Sequence, residues 1–459
     1  MDETVKKALI EIVGEENFSD SLIDLISDSY DASEHKHRPD VAVWPKDTEQ
    51  VSAILKLANE YKVPVTARGA GTSLSGTTVP VQGGIVLDML RMNKILEIRV
   101  EDRVVVVQPG VVYEQLEKAL DSTGFFFPPD PASGIVSTLG GNVAVNAGGL
   151  KGVKYGTTRD YVLGLEVVLA NGSVLRTGSR CMKCVSGYDL TKLFVGSEGT
   201  LGVITEITLK VNPKPLAVAT CTAYFEDIAD AGNAISDTMR SGILPSTLEF
   251  LDDECILALN QGTDLNLPQA AAMVLAETDG FTQEGADYEM DKVIEVFDRN
   301  NAKGIRRAYS PEEAEHLWTA RKSFGGVITR LKNNFIVDDT TVPISKLPEM
   351  LIGIKAISKR YNVPIATMGH LGDGNLHPNV LYDGIDPDEI ARVRKATADL
   401  FKLGLELGGT LTGEHGIGLA KAEFMPLEHD EVAMEVMRSI KRLFDPNNIL
   451  NPGKMGLEA

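Results

Sequence analysis

A short apolar run, Val63-Pro64-Val65-Thr66-Ala67, passes directly into Arg68-Gly69-Ala70-Gly71-Thr72-Ser73-Leu74-Ser75-Gly76, and this junction constrains the fold more than any other stretch. Ahead of it lies Val41-Ala42-Val43-Trp44-Pro45, a short strand ended by proline. Between the two, Asp47 opens a helix whose apolar positions from Val51 to Tyr61 share one face. Strand, helix, strand implies a parallel pair joined by a right-handed crossover. A strand feeding a loop of small residues lets successive backbone N–H groups converge on an anion, and Thr72, Ser73 and Ser75 add hydroxyl donors. Such a loop suits a pyrophosphate. It is neither a phosphate loop with Gly-Lys-Ser/Thr nor a Gly-x-Gly-x-x-Gly turn. Taken alone, it is also compatible with a plain surface turn.

The chain has 459 residues, too many for one ordinary core, so two or three domains are expected. Its hydrophobic content of 43% and charged content of 24% are those of a globular protein. No run approaches the roughly 20 apolar residues of a membrane span. The N-terminus, Met1-Asp2-Glu3-Thr4-Val5-Lys6-Lys7, lacks the apolar centre of a signal peptide. Residues 1–30 read instead as two amphipathic helices with no chemistry of their own. A net charge of −20 argues against nucleic acid and anionic membrane surfaces. An anionic substrate would therefore need a local positive group, a metal or an arginine. Four cysteines make no disulfide framework, which fits a cytoplasmic protein. Cys181-Met182-Lys183-Cys184 is a single pair without the second pair that a tetrahedral site needs, so it reads as incidental.

Farther along, Ser137-Thr138-Leu139-Gly140-Gly141-Asn142-Val143-Ala144-Val145-Asn146-Ala147-Gly148-Gly149 is a second small-residue stretch, able to lie flat against a planar ligand. Strands are expected near residues 163–169 and 174–177, joined by the turn Ala170-Asn171-Gly172-Ser173. Val211-Asn212-Pro213-Lys214-Pro215 marks a domain boundary, beyond which strands and helices alternate. Two later loops hold ligand-type side chains. Gly369-His370-Leu371-Gly372-Asp373-Gly374-Asn375-Leu376-His377-Pro378-Asn379 carries two of the seven histidines, and Gly413-Glu414-His415-Gly416 adds a carboxylate and a third. Two imidazoles and a carboxylate form a divalent-metal ligand set, with one histidine left as a base. By spacing alone, the same loops equally describe two turns whose histidines bond backbone carbonyls.

The Arg68–Gly76 loop, the Ser137–Gly149 stretch and the run Gly187-Tyr188-Asp189-Leu190 through Gly199-Thr200-Leu201-Gly202-Val203-Ile204, in this order, resemble the FAD domain of the vanillyl-alcohol-oxidase and p-cresol-methylhydroxylase flavoproteins. With the histidine loops, the closer resemblance is to the FAD-linked D-2-hydroxyacid dehydrogenases, a group that includes D-lactate dehydrogenase and a glycolate oxidase subunit. The resemblance covers about residues 35–459. It implies an α+β chain: an N-terminal helical segment (1–34), an FAD-binding domain (35–213), a cap carrying substrate and metal groups (214–425), and a C-terminal segment (426–459) returning to the FAD domain. For FAD it nominates Arg68, Gly69, Ala70, Gly71, Thr72, Ser73, Gly76, Thr138, Gly140, Gly141, Asn142, Ala144, Gly149, Glu198, Gly202, Ile204 and Asn451. FAD is expected to be non-covalent, since no histidine lies in or near these loops; the nearest, His35 and His37, come well ahead of them. His370, His377 and Glu414 are the implied ligands of one divalent metal (Zn, Fe(II) or Mn), and His415 is the implied base. Arg321 and Asn379 are the implied contacts to substrate. Asp373 and Asn375 are expected to shape the loop rather than bind metal. The D-2-hydroxyglutarate members carry a lysine near Val337, so its absence favours a monocarboxylate. The implied reaction is oxidation of D-lactate to pyruvate, with electrons passed to a partner such as an electron-transferring flavoprotein. The alternative is a glycolate or other 2-hydroxyacid dehydrogenase subunit that feeds an iron–sulfur subunit or quinone.

Overall fold

The computed structural model describes residues 1–457. Contacts divide the chain into two units, one of residues 1–148, 157–214 and 414–459, the other of residues 149–156 and 215–413. One division falls after Lys214. The chain rejoins the first unit at Glu414, and Gly413, the last residue of the second unit, donates its N–H to Asp339 at 3.0 Å.

The first unit opens with α1 (Glu3–Val13) and α2 (Leu22–Ser27), the two helices expected from periodicity. Next come β1 (Val41–Val43), α3 (Thr48–Tyr61), β2 (Val65–Arg68) and β3 (Ile85–Asp88). Asp47 caps α3 by accepting from Gln50 N at 2.8 Å, and Val51, Ile54, Leu55 and Ala58 form its buried stripe. β1 and β2 are parallel, as the strand–helix–strand pattern implies, but they do not pair with each other. β3 lies between them and is parallel to both. β1 and β3 are buried along their length and β2 at all but Ala67, the burial expected of a parallel sheet covered on both faces.

A second, antiparallel sheet of the same unit contains β4 (Ile95–Arg99), β5 (Val104–Val107), β6 (Val162–Val168), β7 (Val174–Gly178) and β8 (Val203–Lys210) in the order β4-β5-β8-β6-β7. Between β5 and β6 the small-residue stretch is not flat. Leu139–Val145 winds into α4, with Thr138 capping it by accepting from Gly141 N. Glycines are poor helix formers; here packing overrides propensity, since a Cβ on Gly140 would stand 2.5 Å from Pro109 Cβ.

The second unit is an eight-stranded sheet. Its strands are β9 (Ala217–Phe225), β10 (Thr247–Asp252), β11 (Ala272–Gly280), β12 (Lys303–Arg307), β13 (Asn334–Val337), β14 (Ile365–His370) and β15 (Asn375–Tyr382), in the order β12-β9-β11-β10-β14-β15-β13. The short strand Thr340–Thr341 also pairs with β15. Strand alternation separates the two faces. Phe250, Val274, Val380 and their neighbours pack into a core with α5 (Ile228–Arg240), α6 (Gln283–Arg299), α8 (Leu347–Tyr361) and α9 (Pro387–Glu406). On the opposite face, Leu251, Met273, Ala366 and Leu381 pack with α7 (Pro311–Val327) through Ala320 and Phe324.

Candidate active site

In the first unit, β2 delivers the chain to residues 69–74, which line a cavity of about 750 Å³. Gly69, Ala70, Gly71, Thr72 and Ser73 form one wall; Thr138, Gly140, Gly141, Asn142 and Ala144 form a second; Glu198, Gly202 and Ile204 close it. The glycines are sterically required. A Cβ on Gly69 would lie 2.2 Å from Thr138 Oγ1, and Gly71 has φ +69° with a hypothetical Cβ 2.1 Å from Arg68 Nη2. A small-residue cradle with main-chain N–H groups on its wall suits the pyrophosphate and planar rings of FAD.

Of the other four expected FAD residues, Arg68 also lines the cavity, and Gly76, Gly149 and Asn451 are not among its lining residues. The Arg68 guanidinium is held by Asp28, Tyr30 O, Ser27 O and Thr78 Oγ1, so it shapes the loop. Gly76 packs against His35 and Leu419. Gly149 belongs to the second unit. Asn451 donates to Thr77 O at 2.8 Å and Glu198 O at 2.7 Å, stapling two cavity segments. The cavity also uses Tyr30, Asp31 and Ala32, which carry no sequence signal, and Pro131–Ser133, announced only by the proline-rich approach.

Glu414 and His415 are on the same cavity wall. Their loop is fastened from two sides. Ser75 Oγ donates to His415 O (3.2 Å) and Gly416 O (2.9 Å). Glu198 accepts Ile417 N (2.6 Å) and Gly418 N (2.8 Å), one on each carboxylate oxygen. Glu198 itself sits at φ +53°. Burial pushes its carboxyl up to about 7, against the opposing pull of the two N–H groups.

In the second unit, the ladder brings other expected residues onto one sheet face. Glu249 of β10 pairs with His370 of β14; His377 and Asn379 of β15 pair with Met368 and Ala366, positions in phase with His370. Glu249 Oε1 meets His370 Nδ1 at 2.6 Å, and its Oε2 accepts from Arg321 Nε, also at 2.6 Å, across from α7. Burial would raise this carboxyl, but His370 and Arg321 outweigh it and hold it below the usual range. The His370 and His377 rings lie 5.1 Å apart at 82°, with ligand atoms within 4.8 Å of one another. Asn379 gives both amide hydrogens to backbone carbonyls, of Ala366 (3.0 Å) and His377 (2.8 Å).

Asp339, invisible to motif reading, ties the two histidine loops together. Its Oδ1 accepts Asn375 Nδ2 (2.7 Å) and lies 3.7 Å from His377 Nδ1. Its Oδ2 accepts Gly413 N (3.0 Å) and Thr412 Oγ1. Glu414 follows Gly413 by one peptide, a Cα step of about 3.8 Å. Asp373 and Asn375 shape the loop, the former accepting Asn375 N at 3.3 Å. Cys181 and Cys184 are exposed and free, Cys221 and Cys255 buried and free, and among the described residues none joins a group able to hold an ion.

Residues 39–178 match the FAD binding domain family, and residues 214–455 match the family of FAD linked oxidases, C-terminal domain. The chain is 45% identical to glycolate oxidase subunit GlcD of Bacillus subtilis (strain 168), over 98% of this chain and 96% of the relative. It is 37% identical to the mitochondrial D-lactate dehydrogenase [cytochrome] of Arabidopsis thaliana, over 91% of this chain and 73% of the relative. The solved structure of p-cresol methylhydroxylase with substrate bound has the same fold, with a TM-score of 0.83 at 22% identity, covering 99% of this chain and 96% of that one. The cavity and both family matches agree: the chain belongs to the FAD-linked oxidases and is an FAD-dependent oxidoreductase.

Proposed function

We propose that the chain oxidises a small D-2-hydroxy acid, D-lactate to pyruvate first among them, using FAD and one divalent metal. The carrying observation is that Glu249 holds Arg321 by one carboxylate oxygen and His370 by the other. A cation for a carboxylate and an imidazole for a metal are thereby set about one carboxylate apart, a spacing suited to a substrate whose carboxylate and hydroxyl are on adjacent carbons. The Arg321 Nη pair, with no protein partner among the described residues, is the edge that grips a carboxylate bidentately.

His370, His377 and Glu414 would hold the metal: two nitrogens and an oxygen with open positions fit Zn, Fe(II) or Mn. Such an ion lowers the pKa of a bound hydroxyl. His415, two residues beyond the anchored Gly413, takes the hydroxyl proton. Asn379 Oδ1 orients the substrate by accepting a hydrogen bond. When bound, FAD supplies a hydride acceptor at N5. The one histidine on the FAD cavity wall, among the described residues, is His415, and a base cannot also be a flavin linkage; this supports a dissociable FAD.

Val337 lies opposite Asn379 in the β13–β15 ladder and puts an apolar side chain where a second substrate carboxylate would need a cation. That favours a monocarboxylate. With four cysteines, two of them in the core, the chain lacks an array for an iron–sulfur relay, so electrons leave to a separate protein. We infer a cytoplasmic electron-transferring flavoprotein. The word "subunit" in the name of the Bacillus subtilis relative favours a second reading, a glycolate-type dehydrogenase delivering electrons to an iron–sulfur subunit or quinone.

Anaerobic titration of the holoprotein with D- and L-2-hydroxy acids, before and after chelation, tests the proposal. D-Lactate should bleach the flavin, chelation should abolish bleaching, and a divalent ion should restore it. Bleaching that survives complete metal removal refutes the metal role. Bleaching by no 2-hydroxy acid refutes the substrate class.

A further inference from the structure

Glu249 is an anomaly of β10. Its neighbours Leu248 and Phe250 enter one core and Leu251 another, while Glu249 itself is 1% exposed. An isolated carboxylate is costly to bury, and it persists only when paired and hydrogen-bonded. The register explains the pairing. Glu249 and His370 are direct cross-strand partners, so both side chains leave the sheet on one face, where α7 brings in Arg321.

The two hydrogen bonds are directional. Glu249 Oε1 at 2.6 Å from His370 Nδ1 selects the Nδ1–H tautomer and directs the Nε2 lone pair away from the carboxylate. Oε2 at 2.6 Å from Arg321 Nε pins the guanidinium by its inner edge and leaves the outer Nη edge clear. A structural salt bridge would require only one of these geometries. Both together orient two different binding groups from one side chain.

We propose that Glu249 is a positioning residue shared by the metal and substrate sites. It fixes the metal-binding nitrogen of His370 and the carboxylate-binding edge of Arg321 at once, so that ion and substrate are held in one register. This deepens the 2-hydroxyacid reading above and rests on it. Carboxylates behind metal-bound histidines set ligand tautomer and basicity, and their loss lowers metal affinity by about 10–100-fold. Glu249→Gln preserves shape but offers one acceptor oxygen for two donors. Its amide either faces His370 Nδ1, forcing the proton onto Nε2, or faces Arg321 Nε and displaces the guanidinium.

The test uses the FAD-loaded full chain, stripped of metal by chelation. Zn(II) or Mn(II) affinity is measured by titration calorimetry without substrate, and kcat and KM for D-lactate are measured separately. Glu249→Gln should weaken metal binding at least tenfold or raise KM at least tenfold, according to which way its amide turns. Arg321→Lys should raise KM with metal affinity unchanged. A folded, flavin-loaded Glu249→Gln enzyme with wild-type metal affinity and wild-type KM overturns the inference and leaves the metal site standing. Wild-type protein that binds no divalent ion refutes the metal reading itself. If Glu249→Gln does not fold, 15N-histidine NMR of the metal-free wild type decides. The resonance missing in His370→Gln should report the Nδ1–H tautomer, and an Nε2–H tautomer overturns the proposal.

Discussion

Glu198 sets two opposing effects against each other, and replacing it by glutamine shows which prevails. The carboxyl is 4% exposed, and it accepts Ile417 N and Gly418 N, bonds that favour the ionised form. Burial favours the neutral form and prevails, raising the carboxyl from 4.5 to about 7. The folded state then holds a proton that the unfolded chain releases between those pH values. Stability from this group is complete below pH 4.5 and lost as pH rises through about 7. At 1.36 kcal/mol per pH unit, that interval is worth about 3 kcal/mol. Glutamine removes the titration, at the cost of one acceptor facing an N–H, about 1–3 kcal/mol at every pH. In a Trp318→Phe background, Trp44 fluorescence reports unfolding of the unit that contains Glu198. Urea denaturation of flavin-free protein from pH 4.5 to 7.5 should show the wild-type advantage over Glu198→Gln shrinking by about 3 kcal/mol as pH rises. An advantage that is flat or grows with pH would mean that the two N–H groups dominate, and the argument from burial fails.

His415→Ala should abolish bleaching of the flavin by D-lactate while FAD stays bound by absorbance; full bleaching would remove His415 from proton transfer. Gly71→Ala meets Arg68 Nη2 and a φ of +69°, so FAD affinity, read from flavin fluorescence, should fall at least tenfold. The Cys181→Ser/Cys184→Ser double variant should leave FAD content, metal content and turnover within error, because both thiols are exposed and neither belongs to a ligand group.

The sequence by itself determined the parts whose chemistry is local. A strand entering Gly69–Gly71, the capped helix α3 and the histidine loops are written in neighbouring residues, so the cavity loop and the His370/His377 pair were legible. Only tertiary structure decided what non-local pairing controls. β3 enters between β1 and β2 because parallel neighbours are chosen by burial on both faces, not by order in the chain. The glycine-rich stretch winds into α4 under its Thr138 cap, and Pro109 leaves room only for glycine at position 140. Arg68, which reads as a phosphate contact, spends its donors on Asp28 and three oxygens nearby. Glu249 and Asp339 belong to no motif at all. Their roles follow from strand register and from a carboxylate's need, once buried, for donors that the fold brings from 121 and 74 residues away.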